Sequence, residues 1–440
     1  MRIILSIVLV ASALALSAQT QSPSPPDPLR GVAERYVKLV LAVGQHDADY
    51  VDAFYGPPEW RKAAEAAKAP LAAIDSEAAL VETNLVQAVT PPPREPKEAE
   101  LWTLRRQYLT RQLAALRARV AMLNGKKMTF DEESLALYDA VAPVKPESEF
   151  EAVLKQLDAK LPGSGSLIDR YDRYKQAFII PKARLDRVFQ EAIRSCKQQS
   201  LGMNRVDLPM TENFRIEYVT GKSWSGYNWY QGNLRSLIQV NTDLPIYIDR
   251  AVDLACHEGY PGHHVYNALL EKNLVRDRGW VEFTVYPLFS PQSLIAEGTA
   301  NYGIEVAFPA ADRLAFEQNV LFPLAGLDVS KVGEYYQILE LADRLSYAGN
   351  EAARKYLNGE INRASAVAWL EKYAMYTKPR AEQRVRFIDQ YRSYVINYNL
   401  GKDLVRAYVE RRMGRDRTPQ RRWSEFVALI SSPRLPSGLK

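Results

Sequence analysis

The chain has 440 residues, 47% of them hydrophobic and 25% charged, with a formal net charge of +5. That composition supplies a sizeable core and fits a globular enzyme. The charge is mild and its basic residues are spread along helices, apart from a dense run at RRMGRDRTPQRRW that reads as a solvated helix end, so a nucleic-acid partner is excluded.

The first stretch, MRIILSIVLVASALALSA (1–18), has Arg2, an apolar run and small residues near its end. This is the layout of a cleaved secretory signal. The run is short for a spanning helix of about 20 residues, so no stable membrane insertion is expected. QTQSPSPPDP (19–28) is rich in Pro and Ser and reads as an extended linker. The chain is therefore expected to be exported, to a periplasm or the outside. Residues 29–440 read as one mostly helical unit, with a helical part at 29–205 packed over a metal-site part at 206–440, and PPPREPKEAE (Pro91 to Glu100) as a joint between helices.

Apolar residues recur at three- and four-residue spacing over Leu29–Val43, Glu98–Leu123, Lys182–Gln199, Tyr247–Glu271, Ser290–Phe308, Val332–Asn358, Ala364–Tyr376 and Arg380–Asn397. Only Phe214–Val219 and Arg235–Val240 alternate as strands do. The expected fold is mainly α with a small antiparallel sheet beside the active site. Cys196 and Cys256 are the two cysteines. In an oxidising compartment they can pair, and a buried free thiol fits equally well.

Residues His257 to His264 read His-Glu-Gly-Tyr-Pro-Gly-His-His, and the only other histidine is His46. Neutral imidazole is a preferred zinc ligand, and a neighbouring carboxylate can take a proton from a metal-bound water. The short metalloprotease motif H-E-x-x-H sets its histidines one helical turn apart. Here the later histidines follow six and seven positions on. On a regular helix, His264 would lie about 10 Å along the axis from His257, and His263 would be rotated by roughly 120° from its face. Pro261 removes an N–H and clashes with the carbonyl four residues back, while Gly262 opens backbone angles closed to other residues. The pair therefore lets the helix bulge and a later histidine reach the metal. His263 needs the smaller adjustment and is the favoured second ligand; His264 is the alternative, or a group behind the ligands.

Catalytic zinc sites commonly take three protein ligands. PQSLIAEGTANYGIEVAF (Pro291–Phe308) follows Ser290, a candidate N-cap, with Pro at the first helical position. Glu297 lies in it among small and apolar residues, where a lone carboxylate is costly unless paired or metal-bound. Glu297 is the expected third ligand. Glu305, two turns on, is placed to orient a histidine.

HEGYPGHH followed by EGTANYGIE resembles the bacterial "domain of unknown function 885" family, metallopeptidase-like proteins with H-E-x-x-P-G-H-H and E-G-x-A-x-Y-x-E segments. The resemblance covers roughly residues 210 to 400. It implies a helical zincin of the Glu-ligand (gluzincin) type, with one zinc on His257, His263 and Glu297, Glu258 as general base and Glu305 as the family's second carboxylate. Thr299 departs from the family's usual Trp, and YVINYNLG keeps Tyr398 and Gly401 but not the family's Pro-Gly-Gln. GYNWYQGNLRSLIQVNTDLP (Gly226–Pro245) implies a strand beside the metal against which a peptide lies. Tyr227, Asn228, Arg235 and Tyr398 are the candidate substrate contacts, with main-chain bonds expected from Arg235–Val240. The expected function is an exported zinc peptidase acting on peptide substrates. The alternatives are another zinc amide or ester hydrolase, or an exported metal-binding protein without activity.

Overall fold

The computed structural model describes residues 27–88 and 91–440. The expected signal at 1–18 and residues 19–26 of the expected linker lie outside the described residues. No helix among those described is long and apolar enough to cross a membrane.

Helices dominate, as the spacing predicts, with bounds close to those expected at Arg30–Val43, Pro96–Leu123, Lys182–Leu201 and Pro291–Ala307. One apolar core joins Val37 and Leu109 from the first part of the chain to Leu294 and Phe426 from the second.

Three expected helices are broken. Val332–Asn358 divides into Val332–Asp343 and Ala348–Leu357. Arg380–Asn397 divides at Arg392, whose φ is +53°, into Lys378–Tyr391 and, after a tight turn, Ile396–Met413. The break is held from elsewhere. The buried Glu133 carboxylate accepts hydrogen bonds from Arg392 Nε (2.7 Å), Ser393 N (3.1 Å) and Ser393 Oγ (2.7 Å). Local spacing cannot announce a cap that arrives from another helix. The third break, inside Tyr247–Glu271, builds the site described below.

Among the described residues, two small sheets accompany the helices. β1 (Val51–Phe54) pairs antiparallel with β5 (Val285–Pro287), far away in sequence. The second sheet contains β2 (Asn213–Val219), β3 (Gly226–Tyr230) and β4 (Arg235–Asn241), in the order β2-β4-β3. The β1–β5 pair is antiparallel as expected, whereas this second sheet is mixed: β3 pairs antiparallel with β4, but β2 runs parallel to it, with Asn213 opposite Arg235. A tight hairpin folds β4 back between its two neighbours, and alternation in sequence reports a strand's face but not its neighbours. Ile238 and Val240 on β4 pack with Phe189 of the Lys182–Leu201 helix and with Leu254, seating the sheet against the helix that leads into the histidines.

Candidate metal centre

The helix entering the histidine motif, Asp249–Leu254, widens over Ala255–Gly259 into a π-turn, and a new helix begins at His263. Gly262 N donates to Cys256 O at 2.9 Å, six residues back. A Cβ at Gly262 would overlap the His257 carbonyl, so the close return of the chain requires glycine there. A Cys196–Cys256 disulfide, with Cα atoms 5.4 Å apart, ties the π-turn to the Lys182–Leu201 helix one residue before His257.

The bulge turns the two candidate imidazoles together: His257 Nε2 and His263 Nε2 stand 3.1 Å apart. Glu297, from the middle of the Pro291–Ala307 helix (the glutamate helix), closes the group. Its Oε2 lies 3.2 Å from His257 Nε2 and 3.7 Å from His263 Nε2. That oxygen is buried and has no hydrogen-bond partner among the described residues. The other, Oε1, accepts from Tyr394 OH at 2.8 Å. Ligand atoms of His257, His263 and Glu297 all fall within 4.8 Å of one another.

A metal ion fits this arrangement on chemical grounds. Two imidazole nitrogens and a carboxylate oxygen point at one another, and an oxygen buried without a donor carries a desolvation cost of about 1–3 kcal/mol or more that a cation would offset. The surrounding charge agrees. Burial works against a protonated His263, yet Glu297, then Glu258 and Asp52, outweigh it and hold the imidazole up at about 9. Burial likewise works against Glu297 as an anion, but His263 and His257 hold its carboxyl well below the ordinary range. The pocket is rich in negative charge and calls for a positive partner.

Glu258 is buried beside the start of β3, where a Cβ on Gly226 would come within 2.7 Å of its Oε1. Burial pushes its carboxyl above the ordinary range, against the pull of His257 and His263. Its backbone carbonyl accepts from Asn228 Nδ2 at 2.6 Å, so the Asn228 side chain ties β3 to the π-turn. Asp52, on β1, is a carboxylate that the sequence reading missed. Burial pushes it up to about 6, against a hydrogen bond from Tyr227 OH and the attraction of His263.

The glutamate helix is positioned by the Ile396–Met413 helix. They cross where Gly298 meets Gly401, so closely that a Cβ on Gly298 would stand 2.5 Å from the Gly401 carbonyl carbon. This contact brings Tyr394 and Tyr398, rings 5.8 Å apart, against Glu297. Tyr394, absent from the expected site residues, is the one that bonds Glu297; Tyr398 lines the cleft beside it. Pro291 starts the glutamate helix as expected, but Ser290 does not cap it: its hydroxyl donates to Pro287 O at 2.7 Å.

Other expectations are corrected. His264 does not join the metal group. It is fully buried on the far side of the segment, with Nδ1 2.9 Å from Ser236 Oγ and Nε2 2.9 Å from Glu212 Oε2. Successive helical residues diverge by about 100°, so neighbours cannot share a target. Glu305 contacts no histidine. It pairs with Lys402 at 3.0 Å and with Arg406, because two turns carry it about 12 Å along the helix axis from Glu297. Arg235 is exposed and not on the cleft wall. β4 is paired on both sides, so its backbone cannot receive a peptide; of the two edge strands, β3 is the one on the cleft wall.

Gly226, Tyr227 and Asn228 of β3, the two histidines, Glu258 and Glu297 all line one cleft of about 1220 Å³. That is room for an extended substrate, with the imidazole–carboxylate group on its wall.

No protein-family model matches the chain, and no curated protein matches it significantly. The family named above therefore rests on its motifs alone. Among solved structures, the chain is similar to a candidate lipoprotein from Colwellia psychrerythraea (12% identity, TM-score 0.49), covering 83% of this chain and 65% of that one. It is also similar to a candidate lipoprotein of unknown function from Shewanella oneidensis (11% identity, TM-score 0.45; 94% and 88% covered). A third likeness is to Trypanosoma cruzi metallocarboxypeptidase 1 (12% identity, TM-score 0.38; 91% and 89% covered). At these scores the likenesses carry no argument about activity.

Proposed function

We propose that this chain is an exported zinc-dependent peptidase. The observation that carries the reading is the convergence of His257, His263 and Glu297 on one point of the cleft wall, with the buried Glu258 next to His257 in the chain. His257, His263 and Glu297 would hold one zinc. When bound, the ion supplies Lewis acidity toward a water and a scissile carbonyl. Glu258 is the general base: it takes a proton from the attacking water and passes it to the leaving amine. Burial already favours its protonated form, the direction that suits a group which must hold a proton mid-reaction. Tyr394 steadies the carboxylate of Glu297, and Asn228 steadies the turn that carries Glu258. An extended peptide lies along the edge of β3. Export is supported by the leader-like first 18 residues and by the disulfide.

The second reading is a zinc hydrolase of other amides or esters, which uses the same groups; a metal store without activity does not need Glu258 beside its ligands. Zinc-loaded protein incubated with a mixed peptide library separates these. Cleavage that stops with a chelator and returns with zinc supports the peptidase. An intact library together with hydrolysis of simple esters or amides overturns it.

A further inference from the structure

Among the described residues, six arginine and lysine side chains line the cleft, and they fall into two classes. Arg250 pairs with Asp253 at 3.1 Å, Arg313 with Asp253 at 2.8 Å, and Lys402 with Glu305 at 3.0 Å. Arg380, Arg384 and Arg422 line the same cleft but meet no carboxylate within ion-pair distance among the described residues. Of these three, Arg384 is the one that contacts the tyrosine pair next to Glu297. It stands on the Lys378–Tyr391 helix, with its guanidinium carbon 4.7 Å from the Phe387 ring centre and 5.6 Å from that of Tyr398. Tyr398 in turn packs on Tyr394, which bonds Glu297. Arg384 Nε, like Arg422 Nε, is buried without an acceptor among the described residues. Arg380, one turn earlier on the same helix, lies 5.0 Å over the Tyr376 ring.

An arginine stacked on aromatic rings has its plane set in advance, and its fork of N–H groups matches a carboxylate. A buried N–H with no acceptor is a cost that an anionic ligand would relieve. We propose that Arg384, assisted by Arg380, holds the free C-terminal carboxylate of the bound peptide, so that the site removes short C-terminal fragments rather than cutting at interior positions. This rests on the peptidase reading above. The step itself is hydrolysis: the C–N bond breaks, the water oxygen joins the acyl carbon, and the amine leaves with the proton carried by Glu258.

The test uses full-length mature protein in which Glu258→Gln prevents turnover, titrated calorimetrically with three forms of one short peptide. These are the free acid, the C-terminal amide, and an amide ending in Glu, whose only carboxylate is on a side chain. Expected is binding of the free acid about 10- to 100-fold tighter than either amide, the range of charge-assisted hydrogen bonds. Arg384→Ala should erase that preference and Arg384→Lys restore part of it, with melting temperature unchanged. Arg422→Ala, which alters a cleft arginine without a ring contact to Tyr398, should keep it. In the active protein, mass spectrometry should show C-terminal fragments from the free acid and at least 10-fold lower kcat/KM for the amides. Equal binding of acid and amide, a preference for the Glu-terminated amide, or a preference that survives Arg384→Ala overturns the assignment. Cleavage without acid–amide discrimination leaves the peptidase standing and removes the carboxylate clamp; selective binding of the acid without cleavage of any peptide does the reverse.

Discussion

Two imidazole–carboxylate clusters sit on either side of the segment from His257 to His264, and their difference separates structure from function. In the inner one, His264 is saturated: Nε2 meets a Glu212 carboxylate oxygen and Nδ1 meets the Ser236 hydroxyl, each at 2.9 Å. Glu212 also accepts from Tyr260 and pairs with Lys197 at 2.6 Å. Nothing there awaits a partner. In the outer one, Glu297 Oε2 has no donor among the described residues, two imidazole nitrogens face each other, and the group opens on a cleft. A fully satisfied buried network stabilises a fold, whereas an unsatisfied one is a place where something else binds.

The sharpest way to break this comparison is to delete one member of each cluster. His257→Ala, His263→Ala and Glu297→Ala should each reduce bound zinc from close to one per chain to near zero by elemental analysis. His264→Ala should keep the zinc but lower folding stability by about 3 kcal/mol or more, because Glu212 loses a buried partner. If His264→Ala strips the metal while His263→Ala keeps it, the assignment of the two neighbours is reversed. Next in size, Glu258→Gln should retain zinc while turnover of a cleaved peptide falls about 10²-fold or more. Turnover within a few-fold of wild type would remove Glu258 from the chemistry.

Smaller effects sharpen the contrast. Tyr394→Phe removes the hydrogen bond to Glu297 and should weaken zinc affinity about 10-fold, as a competing chelator would read; Tyr398→Phe should leave that affinity unchanged. The inner cluster should reveal itself through pH. Burial pushes the Glu212 carboxyl up, but hydrogen bonds from His264, Lys197 and Tyr260 outweigh it and hold it down at about 2, against an ordinary 4.5. A folded pKa below the unfolded one stabilises fully above the unfolded value, and that stability is lost as pH falls through the folded value. Wild type should therefore lose more stability than Glu212→Gln as pH drops from about 5 to about 2. Parallel acid-unfolding curves for the two would show that Glu212 is not held as an anion.

Much of this site is legible in residue types and spacing. Scarce histidines gathered beside a glutamate, a Pro-Gly pair where an unbroken helix would misalign them, and a lone carboxylate among small residues at Glu297 each have a local reason. So does the helical character of most of the chain, since apolar periodicity reports which face is buried. What spacing cannot report is which groups from distant segments meet. The parallel pairing of β2 with β4, the cap that Glu133 provides at Arg392, and the approach of Asp52 depend on contacts between residues far apart in the chain. Tyr394 and Tyr398 lie four residues apart, and the family pattern singles out Tyr398. The Gly298–Gly401 crossing sets the register between the glutamate helix and the Ile396–Met413 helix, and Tyr394 is the one whose hydroxyl reaches Glu297. His263 and His264 are parted in the same way. The motif determines that an imidazole arrives after the bulge, but only packing against Ser236 and Glu212 decides which one is buried away from the cleft. Local chemistry selects the groups, and the tertiary contacts that bury and pair them assign their tasks.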